Sequence, residues 1–245
     1  MMKKAIQSIG IGSIGTGLFA LLVLTAVSCG KLDVVGAGSV KSFEKVLDRL
    51  PQPVTPDDKN AGWSLAAPDN SVRFIWSRNY AESPRYDAAL EFDAAPFIDA
   101  GLDPAKLPEH IVFYDGKLMA GTKLGTEQLK YSGGVTPLAS YEQIVRLKRN
   151  SIGYHGAMDH YGVNLGEGNL FEWAKDMAVN DKDIVFVLNP EPFLLAGADP
   201  ARIKGWIFTK VTVDDENGKP IAVDKLLKPF DLVREQQVNL GTVHK

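Results

Sequence analysis

The sequence predicts an α+β fold, with a mostly antiparallel sheet and a few short helices. Three observations carry this. Short apolar or alternating runs recur between turn residues, as strands of a partly buried sheet do. Few segments carry the period of an amphipathic helix. One strand–turn–strand unit occurs twice, near 88–114 and 184–210, which predicts an internal duplication.

The chain opens MMKKAIQSIGIGSIGTGLFALLVLTAVSCGK. Lys3 and Lys4 precede an uncharged apolar run, Leu18 to Val27, and small residues follow. Basic, apolar, then small is the layout of a secretory signal. The apolar run is about half the roughly 20 residues that a spanning helix needs. Residues 1–28 are therefore expected to be a removed signal peptide. Ala26-Val27-Ser28-Cys29 resembles the bacterial lipobox, in which the cysteine receives a diacylglyceryl group before cleavage; Ala26 stands where the motif usually has Leu. The resemblance implies lipid on Cys29 and a cell-envelope location, on the cell membrane or the outer membrane. Cys29 is the only cysteine, so an intrachain disulfide is impossible. A lone cysteine in an exported chain needs an explanation, and a lipid anchor supplies one.

After Cys29, 25 basic residues face 30 acidic ones, a net charge of −5. That balance gives nothing to neutralise phosphates, so nucleic acid is not an expected partner. Residues 29–39 (CGKLDVVGAGS) are small and glycine-rich, as a lipidated cysteine and flexible tether are. A single domain is expected over 40–232, with a frayed tail at 233–245.

Within the domain, Phe43, Val46, Leu47 and Leu50 share one helix face, and Pro51 stops it. Strands are expected over 72–76, 88–92 and 110–114. Asp115-Gly116 predicts a tight hairpin into 117–119. Ser140 to Gln143 has the spacing of a capping box, and Asn169 to Glu172 suggests a second helix start. Ile184 to Leu188 is an apolar strand. Asn217-Gly218 predicts a hairpin between 207–213 and 221–223, and Asp224 could cap a last short helix stopped by Pro229.

The repeat is the most specific feature of the domain. PFIDAGLDPAKL (96–107) and PFLLAGADPARI (192–203) agree at seven of twelve positions. Proline suits a first helical turn, Gly101 and Gly197 suit positive φ where the turn ends, and Asp103 and Asp199 suit the cap of a second turn. Phe97 and Phe193 are candidates to plug the core beneath. Duplicated scaffolding explains the pattern without a ligand; a ligand cleft between two related halves is the functional alternative.

Several motifs fail on context. The G-x-G-x-x-G of Gly10 to Gly15 lies inside the export signal, without a preceding strand. Asp214 to Gly218 cannot be an EF-hand loop, because Val213 would fill the first ligand position. Chemistry is concentrated only in 154–167. His155, Asp159, His160 and Glu167 are candidate ligands for zinc if the segment is a loop. Tyr154, Tyr161 and Asn164 are candidate ligand-binding residues beside them. The plain alternative is a surface loop with no cofactor.

The function these observations favour is an exported, lipid-anchored, non-enzymatic protein that binds a small ligand or an envelope partner. A metal-dependent hydrolase using 154–167 and a structural envelope component are the alternatives. The anchor is testable directly. Cys29→Ala should abolish detergent-phase partitioning of the exported protein and release it from the membrane; a wild-type protein that already partitions as soluble would refute lipidation.

Overall fold

A computed structural model describes residues 32–50, 56–57, 62–77, 86–123, 136–177, 182–214 and 217–232. The expected signal peptide, Cys29 and the tail 233–245 lie outside the described residues. The fold is α+β and mostly antiparallel sheet, as the sequence predicts.

The first half runs α1 (Val34–Arg49), β1 (Pro56–Asp57), β2 (Gly62–Ala66), β3 (Val72–Ser77), β4 (Ala88–Asp93), α2 (Ala95–Asp99), a 3-10 turn (Pro104–Lys106), β5 (Ile111–Tyr114) and β6 (Lys117–Thr122). The second half runs α3 (Pro137–Leu147), a 3-10 turn (Arg149–Ser151), β7 (Ile152–His155), β8 (His160–Asn164), β9 (Leu170–Ala174), β10 (Ile184–Leu188), α4 (Glu191–Leu195), a 3-10 turn (Pro200–Arg202), β11 (Ile207–Asp214) and β12 (Pro220–Phe230). Two antiparallel six-stranded sheets result, ordered β1-β2-β3-β4-β6-β5 and β7-β8-β9-β10-β12-β11. In each, the chain leaves the fourth strand through a short helix and a 3-10 turn. It returns as the edge strand, and the last strand then inserts between the edge and the fourth.

The two 12-residue segments take the same conformation. Gly101 and Gly197 have φ of 105° and 99°. Asp103 and Asp199 each accept from the backbone N–H two residues on, at 3.1 Å. The segments also meet. The Asp103 N–H donates to the Ala196 carbonyl and the Asp199 N–H to the Ala100 carbonyl, both at 2.9 Å. The two bonds are reciprocal. A Cβ at either glycine would crowd the other's carbonyl, at 2.9 and 3.1 Å. Phe97 and Phe193 are fully buried, with ring centroids 4.8 Å apart.

A second aromatic group lies nearer the long helices. Phe74 of β3 stacks on Phe171 of β9 at 4.3 Å, nearly parallel. Phe43 of α1 packs on Tyr141, Trp173 and Trp76 at 4.2, 5.2 and 5.5 Å. Phe74-Ile75-Trp76 and Phe171-Glu172-Trp173 share F-x-W, a second point of likeness between the halves beyond the 12-residue segment.

Several sequence expectations are corrected. α1 begins at Val34, capped by the Asp33 carboxylate, and takes in residues assigned to the tether. Its small residues are a packing face. The Ser39 hydroxyl meets that of Tyr141 at 2.5 Å, Gly36 faces Val145, and a side chain at Gly38 would run into the Tyr161 hydroxyl. α3 is capped by Thr136, with Pro137 in its first turn, rather than by Ser140; that hydroxyl donates to the Ser77 carbonyl. The segment 169–177, expected as a helix, contains strand β9, because alternation places Phe171 and Trp173 together in the core. The expected helix after Asp224 is the continuation of β12.

Phe97→Ala and Phe193→Ala should each cost about 3–5 kcal/mol in urea unfolding. The double variant should cost less than the sum, because each phenylalanine has already lost the other's contact in the single variants. Gly101→Ala should cost about 1–3 kcal/mol from its φ alone. Additive losses would mean the two rings do not share one joint.

Candidate functional site

Residues 152–164 form a regular hairpin, not a loop. Ile152 pairs with Val163, Tyr154 with Tyr161, and His155 with His160. The alternation explains the local fold. Ile152, Tyr161 and Val163 point into the core, so Gly153, His155, His160 and Gly162 fall on the opposite face. The two histidines are thus direct cross-strand neighbours.

Their environments differ. His155 is half exposed, and its Nδ1 lies 2.9 Å from Glu172 Oε1. Glu172 belongs to β9 and is almost fully buried. Its side chain crosses Gly162 of the intervening β8 to reach β7. The Glu172 hydrogen bond raises the pKa of the His155 imidazole above its ordinary value, against the opposing effect of burial. His160 is buried, its Nδ1 has no hydrogen-bond partner among the described residues, and burial pushes its pKa down.

The other candidate ligands go elsewhere. Asp159 sits in the β7–β8 turn, where it accepts from the Tyr154 hydroxyl and lies 3.8 Å from Lys175. Glu167 sits in the turn at the far end of β8, about 15 Å along the strand from the histidines. Asn164 accepts from the Gly166 N–H at 2.9 Å, closing that turn. The Tyr154 ring packs on Tyr161 at 5.1 Å, and Tyr161 is buried. Among the described residues, no group of three or more His, Cys, Asp or Glu is placed to hold a metal ion. The hairpin thus brings His155 and His160 together, with Glu172 beside His155, and places Glu167 at the far end of β8. His155 and Glu172 tie the edge strand β7 across β8 to β9.

Open space lies elsewhere. A groove of about 760 Å³ runs between α4, the start of β9 and the β11–β12 hairpin. Leu170, Leu194, Phe208, Val213 and Val223 supply apolar wall. Asn189, Glu191, Asp224 and Lys225 bring polar groups to it. The Lys225 amine donates to the Gly168 carbonyl at 2.7 Å, and burial lowers its pKa. Leu194 and the adjacent Leu195 are 57% and 75% exposed. A smaller cavity of about 430 Å³ lies near Asp69, Trp206 and Lys228.

The sequence held a signal for the exposed leucine beside the groove. Leu195 of the second segment stands where the first has Asp99. An exposed polar position in one copy is thus an exposed leucine in the other. Glu172 gave no such signal, because its segment matched a helix start.

The His155–Glu172 link has a defined pH dependence. A histidine whose pKa is raised by folding contributes stability below its unfolded value, near 6.5, and loses it as pH rises through the folded value. His155→Gln should lower stability by about 1 kcal/mol near pH 5, a modest figure because His155 is half exposed. The deficit should shrink by pH 9, measured by urea unfolding at both. A deficit that grows with pH would refute the assignment.

Comparison with known proteins finds no family model, no curated protein and no solved structure that matches this chain.

Proposed function

We propose that this protein is an exported lipoprotein, held at the cell envelope by lipid on Cys29, and that it binds a small amphiphilic ligand without catalysing its conversion. The observation that carries the binding reading is the groove beside α4. Its volume of about 760 Å³ falls within the range of small-molecule sites, about 300–1,000 Å³. Its wall is mainly apolar and carries a few polar groups, the composition such sites share. Leu194 and Phe208 would take the apolar body of the ligand. Asn189 and Lys225 would orient its polar end.

The same groove argues for binding over hydrolysis. It is lined by neither histidine of the β7–β8 hairpin, the pair considered for a metal-dependent hydrolase. No helix among the described residues is long and apolar enough to cross a membrane.

Groove occupancy can be measured with an environment-sensitive naphthalene sulfonate dye. Wild type should bind it saturably at one site. Leu194→Trp, which fills the groove from an exposed position, should weaken binding at least tenfold without lowering the unfolding midpoint. Equal affinity in wild type and Leu194→Trp would refute the groove as the site.

A further inference from the structure

The last hairpins of the two halves differ in length. β5 has four residues and β6 six, whereas β11 has eight and β12 eleven. β12 pairs with β10 only over Leu226–Phe230, so the remainder of the β11–β12 ribbon runs on past the sheet. Among the described residues, β11 is an edge strand that pairs only with β12. Val213 and Ile221 on this ribbon are 37% and 40% exposed. A long edge strand is a template for another strand unless charge or proline blunts it, and the one lysine of β11, Lys210, is bonded to Asp224. No proline interrupts β11.

The sequence of that edge says which strand it suits. Residues 210–214 read Lys-Val-Thr-Val-Asp. Placed antiparallel to itself about Thr212, this segment is self-complementary. Lys210 faces Asp214 of the second copy, Val211 faces Val213, and Thr212 faces Thr212. Opposite charges, β-branched pairs and threonine pairs are the cross-strand pairs that stabilise antiparallel sheets. The partner strand extends the match. Within one copy, Lys210 pairs with Asp224, Val211 with Val223 and Thr212 with Ala222. Across the join, one row therefore reads Asp224, Lys210, Asp214, Pro220. The next reads Val223, Val211, Val213, Ile221. Lys210 already bonds Asp224 at 2.7 Å.

From this we propose that two copies of the chain associate by antiparallel pairing of their β11 edges about Thr212, joining two ribbons into a four-stranded sheet. The interface is isologous, the form a twofold dimer requires. A protein held on one membrane surface meets its own copies at raised effective concentration, which favours a short pairing of this kind.

Disulfide trapping in the membrane-bound full chain tests the register. Thr212→Cys places two cysteines directly opposite, with Cα atoms about 4.5–5.5 Å apart, within reach of a disulfide. Thr209→Cys separates its pair by about 20 Å of strand. Mild copper–phenanthroline oxidation should give a covalent dimer with Thr212→Cys at tenfold or more the yield of Thr209→Cys or wild type. Adding Asp214→Lys to Thr212→Cys should cut that yield several-fold, by setting Lys210 against lysine. Adding Lys210→Asp as well should restore it. Three results would overturn the proposal: a Thr212→Cys yield no greater than wild type, equal yields at 209 and 212, or no recovery on charge reversal.

Discussion

The structure depends on one close approach, where the corner around Gly101 meets the corner around Gly197. Each glycine holds a positive φ and sits against the other's carbonyl. The neighbouring N–H groups of Asp103 and Asp199 then find acceptors across the join. Those acceptors, the Ala196 and Ala100 carbonyls, end the short helices α4 and α2 and need partners if they are to leave water. Reciprocal bonding satisfies both at once and brings Phe97 against Phe193. Phe92 and Trp206 close around that pair. The two sheets thus meet through backbone as well as side chains.

At the other end, the helices cross between halves. α1 belongs to the first half in sequence but packs on β7, β8 and β9 of the second. The Ser42 hydroxyl reaches the Ala174 carbonyl there. α3 answers by packing on β3, where the Trp76 indole N–H donates to the Pro137 carbonyl. Each sheet is therefore covered partly by the other half's helix. Tyr141 sits in this crossing, fully buried, and burial pushes its phenol pKa up. Its hydroxyl bond to Ser39 satisfies a polar group that would otherwise be costly to bury.

Against this shared plan, the groove lies where the halves differ. The groove uses Leu194 and the lengthened β11–β12 ribbon, and the first half has no hairpin of that length. The histidine hairpin answers a different need. β7 is an edge strand, and the His155–Glu172 link holds it across β8 to β9. A buried carboxylate needs a hydrogen-bonding partner, and His155 provides one at the sheet margin. A concentration of histidine and acid in sequence is thus compatible with a structural tie.

The sequence by itself determined what local stereochemistry controls. The Phe43 helix face, the Asp115-Gly116 turn, the positive φ of Gly101 and Gly197, and the caps at Asp103 and Asp199 all follow from a few adjacent residues. Where local signals were ambiguous, tertiary packing decided. Asn169 to Glu172 has the spacing of a helix start, yet Phe171 and Trp173 gain a common core face only when the segment is extended. Gly36, Gly38 and Ser39 have tether composition, yet they are small because Tyr161, Val145 and Tyr141 come close to them across more than a hundred residues of chain. The four candidate ligands lie within 13 residues, but strand geometry carries Glu167 to the far end of β8 and leaves Glu172 beside His155. Sequence distance fixes a spatial distance only after the backbone conformation is known. For these segments, that conformation was chosen by burial against the opposite half.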